Sequence, residues 1–159
     1  MKTETLNMIE EFLILTPEQI KKYRDVRRAV YGSRITIPIF EDSGVAPNTT
    51  KYYFSKVISK PFIVEKIIVV FPSGTGRTFK IYPLVSDNQN SDKTGYNFLS
   101  NYSEYPFLVG DAQEVIIHID PIEFKGEKYI KLIAENGSPD YRTMDAKVEI
   151  VSFPLFKEV

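Results

Sequence analysis

Residues 61–85 read PFIVEKIIVVFPSGTGRTFKIYPLV. Two apolar, β-branched and aromatic runs flank the turn-forming segment PSGTGR, which carries Gly74 and Gly76. Such a pattern predicts two strands joined by a hairpin turn. The first run contains an irregularity. Phe62 and Val64 share one face, and Ile67, Val69 and Phe71 continue on that face only if an extra residue is taken up at Glu65-Lys66. A β-bulge there keeps both charges out of the core without turning the strand over. In the second run Phe79, Ile81, Pro83 and Val85 share a face, opposite Lys80, Tyr82 and Leu84. This hairpin is expected at the centre of an antiparallel β-sandwich.

The same alternation recurs on both sides. Ile35, Ile37 and Ile39 alternate with Arg34, Thr36 and Pro38, and the proline marks an edge strand or a bend. EDSGVAPNTT reads as a loop and KYYFSKVI as a strand. After Gly110-Asp111 the strands resume, with Val115, Ile117 and Ile119, then Ile130, Leu132 and Ala134, then Met144, Ala146, Val148 and Ile150. About eight short strands with a turn signal between them describe an all-β, two-sheet jelly roll. Ile116, Ile133, Leu84 and Val151 fall on outward positions, and several such residues suggest contact with another subunit. Residues 33–159 are read as the sandwich domain.

Residues 1–32 are of a different kind. Leu6, Ile9 and Leu13 have loose helical spacing, as in a short helix or an arm ordered against a partner. Thr16, Pro17 and Gln19 then make a helix start with a capping box. An apolar stripe of Ile20, Tyr23 and Val30 follows, and Gly32 is the stop. Lys21, Lys22, Arg24, Arg27 and Arg28 load the other face, as a solvated surface or as a docking face for an acidic neighbour.

Composition narrows the chemistry. The chain has 159 residues, no cysteine and a single histidine. Disulfides, thiolate metal sites and cysteine nucleophiles are excluded. Twenty basic against 21 acidic residues leave a net charge of −1, which disfavours specific nucleic-acid binding and broad attraction to membranes. No apolar run approaches the roughly 20 residues of a membrane span, and MKTETLNMIEEFLIL does not read as a signal peptide. PSGTGR lacks the Gly-Lys-Ser/Thr ending of a phosphate loop and leads into a strand. DNQNSD (residues 87–92) offers oxygen ligands for a loose calcium site but lacks the spacing of an EF-hand. His118 sits in a strand facing outward, with no nucleophile elbow in the chain. The expectation is a non-enzymatic protein without metal or cofactor.

The longest irregular stretch, residues 86–111, is polar but carries five aromatic residues. Connections of that length bind something or are held by their neighbours. Asn90, Tyr96, Asn97, Asn101, Tyr102 and Tyr105 form a candidate ligand loop, with rings to stack on sugar faces and amides to read hydroxyls. The alternative is that the tyrosines pack on the core.

The segments KPFIVEKIIVVFPSGTGRTFKIYPLVSDN (60–88), VGDAQEVIIHID (109–120) and YIKLIAEN (129–136) resemble the small jelly-roll proteins that decorate or assemble virus and phage capsids. That resemblance implies a virion protein acting as a homo-oligomer, often a trimer, fixed to other shell proteins by an N-terminal arm or helix. Residues 1–32 would then dock, through Lys21, Arg24, Arg27 and Arg28. The segment 60–77 also looks like the opening of galactose-binding-like jelly rolls, which implies a carbohydrate-binding module in a cytoplasmic or extracellular setting. The absence of tryptophan weighs against it.

Overall fold

The computed structural model describes residues 16–19, 22, 33–100 and 104–153. Among these residues, alternating apolar side chains give nine strands: β1 (Ser33–Val45), β2 (Thr49–Phe54), β3 (Phe62–Phe71), β4 (Phe79–Ser86), β5 (Tyr96–Asn97), β6 (Gln113–His118), β7 (Glu123–Phe124), β8 (Tyr129–Asn136) and β9 (Arg142–Ser152). They form two antiparallel sheets, one ordered β1-β9-β3-β6 with β7 also on β3, the other β2-β8-β4-β5. Successive long strands alternate between the sheets, as in a jelly roll. The last two strands thread between the first four: β9 lies between β1 and β3, and β8 lies between β2 and β4.

The bulge forms where the alternation breaks. The β3–β9 register runs regularly to Val64 and resumes at Lys66, so Glu65 is the extra residue. Phe62, Val64, Ile67, Val69 and Phe71 therefore all point inward and are at most 2% exposed. The charges stay outside, where Arg34 Nε donates to Glu65 Oε2 (2.9 Å) and Lys66 Nζ lies 3.4 Å from Glu149 Oε2.

The expected hairpin does not form. β3 and β4 belong to different sheets, and residues 72–78 arch from one to the other. Both edges of β3 are already taken by β9 on one side and by β6 and β7 on the other. The two apolar faces meet across the core instead, with Phe71 and Phe79 edge to face at 6.4 Å. The arch is pinned from three directions. Asp111 Oδ1 accepts from Gly74 N (2.7 Å), Thr75 Oγ1 donates to Gly110 O (2.6 Å), and Arg142 Nη2 donates to Gly74 O (2.7 Å). Gly74 holds φ +82° at the turn, a conformation that disfavours a side chain.

Other expectations are corrected in detail. EDSGV is strand, because β1 continues to Val45 through an irregularity after Glu41. Of the four apolar residues expected on outward positions, Ile133, Leu84 and Val151 are buried (0%, 3% and 3% exposed) and Ile116 is exposed (45%). Val151 packs with Ile63 and Phe153 on the outer side of the first sheet. The expected edge position of Pro38 is realised, since β1 ends its sheet. The capping box also forms: Thr16 N donates to Gln19 Oε1 (2.9 Å) and Gln19 N to Thr16 Oγ1 (3.2 Å), with helical backbone at residues 17–19 and 22. The rest of the expected arm and helix lies outside the described residues. No helix among the described residues is long and apolar enough to cross a membrane.

Candidate functional site

On its outer face the second sheet carries an unusual load of apolar side chains. Tyr52, Ile133 and Tyr82 lie in one cross-strand row, and Phe54, Lys131 and Leu84 lie in the next. A two-sided apolar sheet needs a cover on both faces. Residues 92–94 and 105–107 of the connection after β4 supply it. Phe107 packs 5.5 Å from Tyr82, and Tyr105 lies tilted against Phe107 at 5.6 Å. Lys80 sits 4.7 Å above the Phe107 ring and Lys93 4.4 Å above Tyr82, placements in which ring faces attract cations.

Lys131 fastens this cover. Its side chain is fully buried, and its ammonium donates to Asp92 O (3.0 Å), Asp92 Oδ1 (3.3 Å) and Thr94 O (3.0 Å). Three donors thus meet three oxygens. Of the carboxylates in the 87–92 segment read as a loose calcium site, Asp92 is engaged by Lys131 and Asp87 pairs with Lys128. Among the described residues no three His, Asp or Glu side chains gather to hold a metal. Gly95 lets the connection press against β4: it has φ +132°, and a Cβ there would come within 2.8 Å of Val85 O.

Asp92 also accepts from Thr94 N (3.0 Å) and Thr94 Oγ1. The Thr94 hydroxyl, then the Thr94 amide and Lys131, hold its carboxyl below the ordinary 3.8. A lowered carboxylate pKa contributes stability that is complete above about pH 3.8 and is lost as pH falls through the folded-state value. Asp92→Asn is therefore expected to flatten this part of the acid limb in urea titrations between pH 5 and pH 2. An unchanged limb would show that the contacts do not favour the ionised form. Lys93 has the opposite shift. Burial opposes its charge, but Tyr82 and Glu135 outweigh that and raise its pKa above 10.5.

Two clefts lie elsewhere. One, of about 560 Å³, surrounds the bulge and is lined by Arg34, Glu65, Lys66, His118, Pro121 and Glu149. Its two cations and two carboxylates are engaged with one another as ion pairs. The other, of about 690 Å³, is apolar and lies between β1 and residues 54–60, with Ile35 and Val57 at its mouth.

The candidate ligand loop is only partly brought together. Tyr96 is half-buried against Phe124 (5.6 Å) and belongs to the core. Asn97 is occupied internally: Nδ2 donates to Pro106 O (2.7 Å), and Oδ1 accepts from Leu99 N (2.9 Å). Asn90 is exposed in a turn in which its N donates to Asn88 Oδ1 (3.0 Å). Tyr105 is 61% exposed. Asn101 and Tyr102, like Lys21, Arg24, Arg27 and Arg28 of the docking helix, lie outside the described residues. The Lys131 clamp was missed because a lysine at an outward position reads as solvated. Its apolar neighbours on the same face were the signal. Compared with models of known protein families and with curated proteins, the chain matches none.

Proposed function

We propose that the protein is a non-enzymatic assembly component, a jelly-roll building block of a virus or phage particle that associates with its own copies and docks through residues 1–32. A fold does not assign a function, and lectin-like domains share this one. The placement of apolar surface favours assembly. Ile116 (45% exposed) and Val70 (40%) lie together on the outer face of the first sheet, while Ile35 (44%) and Val57 (43%) open an apolar cleft at the other edge. Asp92, Thr94 and Phe107 of the long connection, the natural place for a ligand, lie against the outer face of the second sheet. Mass photometry of the full chain at micromolar concentration is expected to find an oligomer. A monomer there would overturn the reading.

The exposed Tyr105 ring, backed by Phe107 and Lys80, favours a second reading, a carbohydrate-binding surface. A glycan array separates the two readings, since the assembly reading expects no specific signal. In the carbohydrate reading Tyr105→Ala abolishes one.

A further inference from the structure

We infer that two copies of this chain pair through β6, antiparallel and edge to edge, about a two-fold axis at Ile116. This rests on the assembly reading and names its contact. A free strand edge is a template for another chain, and proteins ordinarily blunt such edges with proline, short length, irregular register or inward-pointing charge. Three of the four sheet ends are blunted in this way. β1 carries Pro38 and a register irregularity after Glu41. β2 places Lys51 opposite the core residue Ala134, so a lysine points inward. β5 is two residues long. β6, with the sequence QEVIIH, has none of these devices and holds an unbroken register of six pairs with β3. Among the described residues nothing pairs with its other side.

The sequence of β6 complements itself. In an antiparallel pair, directly opposed residues share a face. With Ile116 opposite Ile116 of the second copy, Glu114 lies opposite His118 on the outer face, twice. Val115 lies opposite Ile117 on the inner face, also twice. Centring the pair on Val115 sets Glu114 against Ile116, and centring it on Ile117 sets Ile116 against His118. Only the Ile116 register matches apolar with apolar and acid with imidazole. Val115, Ile117 and Ile119 are half-buried against the core, so a neighbouring strand would finish their burial. On the outer face Ile116 adjoins Ile68, and Val70 lies two residues along β3 on the same face, giving an apolar strip that continues across the axis. Such a contact is isologous and closes a dimer.

The absence of native cysteine makes the test direct. Either kind of antiparallel pair brings opposed Cα atoms to about 4.5–5.5 Å, within the disulfide range of about 4.4–6.8 Å. Full-length Ile116→Cys is expected to form a disulfide-linked dimer on mild oxidation, whereas Tyr141→Cys, exposed just before β9, which β3 separates from β6, stays unlinked. In sedimentation Ile116→Lys is expected to be monomeric at 10 µM (roughly a micromolar-class contact) with unchanged circular dichroism. His118→Glu should weaken the dimer about tenfold by placing two carboxylate pairs in opposition, and adding Glu114→Lys should restore it. An oligomer that ignores Ile116→Lys and does not cross-link at Ile116→Cys would overturn the β6 contact while leaving the assembly reading standing. A monomeric native chain would overturn both.

Discussion

Lys131→Met is expected to lower stability by about 2–3 kcal/mol, read as a shift of the urea midpoint at unchanged slope. Methionine fills most of the volume, so little of the loss comes from packing. Asp92 keeps 45% of its side-chain surface exposed, so solvent screens the lost ion pair and it is the smaller part of the loss. That places the loss below the 3–5 kcal/mol, roughly, of breaking a pair whose surviving charge stays buried. The larger share comes from the carbonyls of Asp92 and Thr94, which lose their donor on the side that faces the buried lysine. Removing the ammonium also relieves its own desolvation, which keeps the figure from rising further. Amide exchange should separate local from global effects. The Thr94 amide, bonded to Asp92, is expected to exchange faster in the variant than the β3 amides do. A loss below 1 kcal/mol, with unchanged exchange at Thr94, would mean that the connection is held by Phe107 and Leu108 and not by the lysine.

The clamp also explains which parts of the fold were legible in sequence. Strand positions and the bulge at Glu65 could be read because side-chain alternation is local. A charged pair interrupting an apolar run has few places to go in a two-sheet fold. Strand partnership was not local. PSGTGR has the composition of a hairpin turn, yet the decision between hairpin and arch rests with β9 and β6, which occupy both edges of β3. Nothing in residues 61–85 encodes those neighbours. Ile133 and Leu84 were correctly placed on an outward face, but what they meet is the chain's own connection. Sequence periodicity separates the two faces of a strand; it does not report what lies against each. In the candidate loop, Tyr96 and Asn97 had the right chemistry for a ligand and are used by the core and by Pro106 instead.

Asn136→Asp should be the most damaging near-isosteric change in the described chain, and its cost should depend on pH. Asn136 is 1% exposed at the end of β8. Its Nδ2 lies 2.9 Å from Val45 O, 3.3 Å from Ala46 O and 2.8 Å from Asp140 O, while Oδ1 accepts from Ser138 N (3.0 Å) and Ser138 Oγ (2.8 Å). One side chain thus ties the end of β1 to the β8–β9 turn. Ser138 passes the tie on, because its hydroxyl accepts from Arg142 Nε (3.2 Å), and Arg142 holds the 72–78 arch. In Asn136→Asp an acceptor replaces the amide that faces three carbonyls. Burial and those carbonyls disfavour the ionised form, so the folded-state pKa of the introduced carboxyl rises above its unfolded value of about 3.9. The folded state then binds more protons than the unfolded one. Stability is therefore expected to fall as pH rises above about 4, by roughly 1.4 kcal/mol per pH unit until the folded-state value is passed. At pH 7 the loss should reach about 3–5 kcal/mol, that of an unpaired buried charge, with partial recovery near pH 4. Asn136→Ala should lose about 3 kcal/mol at both pH values, because it strands the same carbonyls without adding a charge. Urea midpoints of the two variants at pH 4 and pH 7 provide the check: parallel losses would mean that the knot tolerates a carboxylate and that the three carbonyls take their hydrogen bonds from elsewhere.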